Sequence, residues 1–135
     1  MLSFGRAAVY GGVLKNASFG EFVSVYNSKL ISSAASFGGS YNTFEDCEIT
    51  YTPSGGSGFS ADGNSATFKR CEISIRLTGS TARFTIFGNG DSVQDCDVIV
   101  YVPSGTSCSV NSGASLSGTK VTIVTDTTAN TTYYN

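Results

Sequence analysis

The chain has 135 residues, charged side chains make up 13 % of it, the net charge is −2, and Trp and His are both absent. That length fits one domain; the scattered Lys and Arg argue against nucleic-acid binding, which needs clustered cations against phosphate. The missing His removes His-based zinc sites and His-dependent triads.

Gly, Ser, Thr and Asn fill much of the chain, and no window repeats apolar residues at helical spacing, so the composition predicts an all-β protein with little or no helix. The N-terminal stretch Met1-Leu2-Ser3-Phe4-Gly5-Arg6 lacks the pattern of a signal peptide, and no run reaches the roughly 20 apolar residues that span a bilayer. Synthesis in a cytoplasm and no membrane partner are therefore expected.

In chain order, Ser-Phe-Gly recurs at Ser3, Ser18 and Ser36, and Val25-Tyr26-Asn27-Ser28-Lys29-Leu30 opens a pattern that then returns. Phe44-Glu45-Asp46-Cys47-Glu48-Ile49-Thr50-Tyr51 aligns with Phe68 to Ile75, then with Val93 to Val100, and more weakly with Leu116 to Ile123. The offsets are 19 residues for the first step, then 24, 25 and 23. Between these copies, Phe59 and Ala61, Phe84 and Ile86, and Cys108 and Val110 mark a second strand in each unit. Corners such as Ser54-Gly55-Gly56, Gly63-Asn64, Gly88-Asn89-Gly90 and Ser112-Gly113 separate the runs.

A unit of this size with two or three short strands is one coil of a parallel β-helix, in which equivalent residues stack about 4.8 Å apart. The expected fold is a single-stranded right-handed parallel β-helix of about five rungs. One domain, 1–135, divides into shorter N-terminal rungs (1–40), regular rungs (41–125) and an end segment (126–135). An antiparallel β-sandwich is the alternative, but it does not require a whole-unit period. Charges support the register: Asp46, Arg70 and Asp95 alternate in sign down one column, and Glu45 aligns with Lys69.

Alternation places Cys47, Cys71 and Cys96, with Ile49, Ile73 and Val98, in an interior ladder. No CxxC spacing supports a metal or redox site, so the thiols, with Cys108, are expected to be reduced and to serve as small interior side chains. Glu48, Glu72 and Asp97 form an acidic column ending in Lys120, with Lys29 at its other end. These carboxylates are a weak candidate for a cation site or an acid–base pair; an exposed, water-screened face is the plainer expectation. The outward Thr50, Thr52, Ser74 and Thr122 would make an ice-binding array if regular, but Arg76, Ile99 and Tyr101 interrupt them. Ile99, Tyr101, Tyr133 and Tyr134 are the expected oligomer contacts, covering rung ends that carry no obvious polar cap.

The repeated apolar-x-x-Cys-acid-apolar-x-apolar unit, with its Gly, Ser and Asn corners over residues 18 to 125, resembles the parallel β-helices of bacteriophage virion proteins, among them tailspikes, tail-fibre segments and trimeric capsid-decorating proteins. The resemblance implies a non-enzymatic capsid decoration or cement protein, a homo-oligomer with a trimer favoured. Its partners would be other virion proteins such as the major capsid protein, and it would reach the virion after assembly in the host cytoplasm, with no cofactor. A tailspike or tail-fibre segment binding or cleaving host glycans, and an ice-binding or adhesion solenoid, are the alternatives. The same coil carries pectate lyases and polysaccharide hydrolases, to whose catalytic residues nothing here corresponds.

Overall fold

The computed structural model describes residues 3–34, 37, 40–60, 65–126 and 128–135. Ser36, Ala61 and the Gly63-Asn64 corner lie outside them. All of the regular structure among these residues is β. The first turns contain β1 (Ser3–Phe4), β2 (Ala8–Lys15), β3 (Ser18–Phe19) and β4 (Ser24–Ser32). The next holds β5 (Thr43–Glu45), β6 (Glu48–Tyr51) and β7 (Gly58–Ser60); then come β8 (Thr67–Lys69), β9 (Glu72–Arg76) and β10 (Arg83–Phe87). After these stand β11 (Ser92–Gln94), β12 (Asp97–Val102) and β13 (Ser107–Ser109), and the chain closes with β14 (Ser115–Ser117), β15 (Thr119–Thr125) and β16 (Thr128–Tyr134).

Every pairing is parallel except the last, in which β16 folds back antiparallel on β15. The result is a β-solenoid of about four turns. Strict parallel stacking excludes the antiparallel sandwich. The passes through β2 and β4 are shorter than the later units, so the stack amounts to about four turns where five were expected.

Register follows the sequence repeat along one long sheet. Glu48 pairs Glu72, Glu72 pairs Asp97 and Asp97 pairs Lys120, while Lys29 precedes Glu48 and Val25 precedes Phe44. The long β4 pairs β5 with its first half and β6 with its second. The division falls at one column of left-handed residues: Gly11, Asn27, Asp46, Arg70, Asp95 and Gly118, with φ between 51° and 75°. The chain turns a corner there once per turn.

Side chains one position later hold every corner of this column but the first, where Gly12 follows Gly11. Ser28 Oγ donates to the Tyr26 carbonyl at 2.9 Å and Thr119 Oγ1 to that of Ser117 at 2.9 Å. Between them, the Cys47, Cys71 and Cys96 thiols donate to the carbonyls of Glu45, Lys69 and Gln94 at 3.3, 3.4 and 3.2 Å. The column is thus hydroxyl, thiol, thiol, thiol, hydroxyl: small buried groups that each carry a donor, and not merely small apolar ones. Cys71→Ser should therefore stay within about 1 kcal/mol of the parent, whereas Cys71→Val, which keeps bulk and loses the donor, should cost about 1–3 kcal/mol. Urea denaturation of both variants reads the difference.

Aromatic rings fill the interior. Phe44 stacks on Phe68 with centroids 5.2 Å apart, and Phe59 and Phe87 pack on Phe68 at 5.4 and 5.5 Å. Down another side run Phe4, Phe19, Phe37 and Phe59, at 5.9, 5.8 and 4.6 Å. On this side the register differs from the sequence alignment. Thr85 pairs Gly58 and Phe87 pairs Ser60, so Ile86, and not Phe84, lies beside Phe59. The cause is the corner after β9, which is longer than its counterpart after β6; Gly79 lies so close to the Ser54 carbonyl that a Cβ there would collide with it. A slip of two keeps every side chain on its own face, so Phe84 and Phe59 are both buried and alternation could not expose the error. Phe84 does pair Cys108, as the alignment places them.

Candidate functional site

The acidic column lies on the outside of the long sheet. Glu48, Glu72 and Asp97 occupy successive turns in register, and a shallow groove of about 430 Å³ runs along them, bordered also by Ile99, Lys120 and Thr122. Lysines relieve the two ends: Lys29 Nζ is 3.8 Å from Glu48 Oε1, and Lys120 Nζ is 3.5 Å from Asp97 Oδ2. A straight ladder spreads the three carboxylates along the axis, and no group of three or more Cys, Asp or Glu among the described residues converges to hold a metal ion. The weak cation candidate therefore does not form a cluster. Ile99 takes its place between Ser74 and Thr122, in the same column as Thr50, so the outward hydroxyl array is broken where the sequence breaks it.

A second charged column follows the corners. Arg70 Nε donates to Asp46 Oδ1 at 2.8 Å, while its Nη2 reaches Asp46 Oδ2 at 3.2 Å and Glu45 Oε1 at 3.3 Å. The paired guanidinium holds the Asp46 carboxyl below its ordinary 3.8. Lys69 is the in-register neighbour of Glu45, but the carboxylate is bound by Arg70, one residue further on.

The thiols of Cys47, Cys71 and Cys96 form the interior ladder, with Ile49, Ile73 and Val98 buried beside them. All four cysteines are free. Contact with the Cys47 and Cys96 thiols, together with burial, pushes the Cys71 thiol up, and burial takes Cys108 up to about 11. The hydrogen bond with Cys71 holds the Cys47 and Cys96 thiols down, against burial; Cys71 and Cys108, kept protonated, are poor nucleophiles.

The four expected contact residues divide. Tyr101 is half-buried under Arg76, whose guanidinium carbon lies 4.1 Å from the ring centre, and Tyr134 packs on the core. Ile99 sits in the acidic groove. Tyr133 alone of the four is largely open, at 70 % exposure. It stands on β16, which covers the edge of β15 from Thr119 to Thr125. The edge of β15 is thus covered by the chain's own strand, and the outer sides of β16 and β14 pair no strand among the described residues.

The opposite end is different. Tyr10 is 75 % exposed, Val13 60 %, Tyr41 56 % and Phe22 46 %. Two aromatic rows run across these turns: Tyr10 stacks on Tyr26 with centroids 5.0 Å apart, and Phe22 stacks on Tyr41 at 5.1 Å with Arg6 over its other side at 4.8 Å. Phe22 and Tyr41 share a second left-handed column with Arg6, Ser65 and Gly90. This conformation, which suits Asn or Gly, turns their rings out of the solenoid at a corner.

No family model, curated protein or solved structure matches this chain. Its chemistry is therefore read from its own residues. The aromatic end drew no notice in the sequence because Phe22 and Tyr41 fall outside the repeated units; their shared register with Arg6 and Gly90, in a column that changes chemical type at each turn, was the available sign of a corner.

Proposed function

We propose that this chain is a non-enzymatic structural component of a bacteriophage virion, a capsid decoration or cement protein working as a homo-oligomer, with a trimer favoured. The observation that carries the reading is the distribution of exposed apolar area. Of the five large hydrophobic side chains exposed among the described residues, Tyr10, Val13, Phe22 and Tyr41 gather on the N-terminal turns and only Tyr133 lies elsewhere. A stiff stack of turns with adhesive surface concentrated at one end suits a part that is held against other subunits. The donor-capped interior thiols and the lysine-terminated acidic column account for the remaining unusual residues without chemistry on a substrate.

Sedimentation equilibrium tests the association: a mass of about three times the chain's 14.0 kDa, or about six times where two trimers pair, supports a trimer, and a monomer at all concentrations counts against the proposal. Finding the chain in purified particles by mass spectrometry tests the virion assignment separately.

One observation favours a second reading, a tail-fibre segment that binds host glycans. The rows Tyr10–Tyr26 and Phe22–Tyr41 flank Ser24 and Thr43, and exposed rings beside hydroxyls can stack on sugars. Glycan-array binding abolished by Tyr41→Ala would move the assignment to that class.

A further inference from the structure

We infer that the N-terminal end of the solenoid is a self-complementary surface, on which a second copy of the chain docks head to head by pairing the two β2 strands antiparallel about a two-fold axis. The proposal does not depend on the virion assignment.

The first observation is an asymmetry between the ends of the long sheet. At the C-terminal end β16 covers β15, and β14 and β16 each keep one side that no strand pairs among the described residues, but the one large hydrophobic side chain they expose is Tyr133. At the N-terminal end β2 pairs β4 on one side, and among the described residues no strand pairs its other side. Eight residues, Ala-Val-Tyr-Gly-Gly-Val-Leu-Lys, therefore offer a row of backbone donors and acceptors. No Pro interrupts it, and its one charge is at its end. Such an edge is a template for another strand.

The second observation is the symmetry of that sequence. Gly11 and Gly12 stand at its centre, and both have positive φ, at 75° and 110°. This is the corner at which the chain changes direction, so β2 has two arms that meet at its midpoint. A two-fold axis through that corner, bisecting the arms, lays each arm antiparallel on the other arm of the second copy and leaves inside and outside unchanged. The register follows: Tyr10 opposes the second copy's Val13, Val9 opposes its Leu14, and Gly11 opposes its Gly12. Tyr10 and Val13 are the two most exposed large apolar residues of the end, and each would cover the other. Val9 and Leu14 both point inward and are only partly buried, packed on one side against the core, so the partner's pair would complete that layer. Open space surrounds both glycines, so nothing in the chain itself blocks close approach at the axis.

A one-residue slip would place Tyr10 opposite a glycine and Val9 opposite Val13, setting an inward residue against an outward one. The pairing is therefore specified by the sequence as well as permitted by the edge. A closed isologous contact of this kind also ends the assembly at that interface and does not propagate a fibre.

The test uses the full chain. Sedimentation equilibrium should show a two-fold association, of single chains or of two like oligomers, and Val13→Asp should weaken it by about a hundredfold, because the carboxylate enters the interface twice. Val13 faces solvent within one copy, so circular dichroism of the variant should match the parent. The register is read by mixing Tyr10→Cys chains with Val13→Cys chains, both in a Cys108→Ser background, under mild oxidation with copper phenanthroline. The mixture should give a covalent dimer of twice 14.0 kDa, and each variant alone should give far less. Absence of two-fold association, association unchanged by Val13→Asp, or cross-linking of either variant alone as efficiently as the mixture would each overturn the inference.

Discussion

Replacing Phe68 with alanine should lower the unfolding free energy by about 3–5 kcal/mol, the largest effect of any single core truncation in this chain. Phe68 is fully buried and touches the rings of Phe44, Phe59 and Phe87, which come from three different strands in two successive turns. Phe44 and Phe87 lie on strands paired on both sides and Phe59 on one paired with β10, so they move inward little to fill the space; the cost is transfer free energy plus a largely unrelaxed cavity. A loss of that size is a large part of the stability of a typical domain. Phe68→Leu, which leaves a smaller void, should cost roughly 1–1.5 kcal/mol and remain folded. Chemical denaturation of the pair provides the measurement, and equal losses for the two would show that the site collapses freely.

Asp91→Ala should cost about 2–5 kcal/mol, for a different reason. The Asp91 carboxylate is buried at the corner before β11, where the Ala66 N–H donates to Oδ1 and the Gly88 N–H to Oδ2, each at 2.9 Å. Alanine removes both acceptors and strands two buried donors. Asn42 stands in the same column two turns earlier, where its Oδ1 accepts from the Val23 N–H at 2.9 Å. The two residues do one job, joining a corner to the turn below it. Burial pushes the Asp91 carboxyl above its ordinary 3.8, opposed by the Gly88 and Ala66 N–H groups and the Ser60 side chain. The sign is therefore opposite to that of a salt-bridged acid. Its contribution is fully present below 3.8, where folded and unfolded states are both protonated, and is lost as pH rises through the higher folded value. Asp46, held down by Arg70, works the other way, losing its contribution as pH falls from 3.8 through its lower folded value. Stability measured between about pH 4 and 7 should fall less with rising pH in Asp91→Asn than in the parent.

The parts of the fold that repeat in kind were legible. Cys47, Cys71 and Cys96, the residues from Glu48 to Lys120, and the step from Val25 to Phe44 recur with the same chemistry in the same order, and the structure pairs them so. What was hidden depends on geometry that different residue types satisfy. Asp46, Arg70 and Asp95 read as a charge column, and they are one; each is also a left-handed corner, a conformation that Asp tolerates but Arg seldom adopts, so the column as a whole did not announce it. The roles of Asn42 and Asp91 were concealed likewise, because Ala66 separates them in the column. The β16 hairpin was unreadable as a cap: Thr, Asn and Tyr fit a covering strand as well as an exposed tail. For the candidate surfaces, the acidic column and its two lysines were legible to the residue. The aromatic end was not, because Phe22 and Tyr41 fall outside the repeated units.

The unequal corners after β6, β9 and β12 have a practical meaning. Successive turns there differ in length while the long sheet keeps its register on either side, so the stack isolates that edge from the rest of the molecule. Lineages of such a chain could gain or shed residues at this seam and alter what that edge presents to its surroundings, with the long sheet left untouched. A peptide grafted between Ser104 and Thr106 would be presented outward on a rigid post.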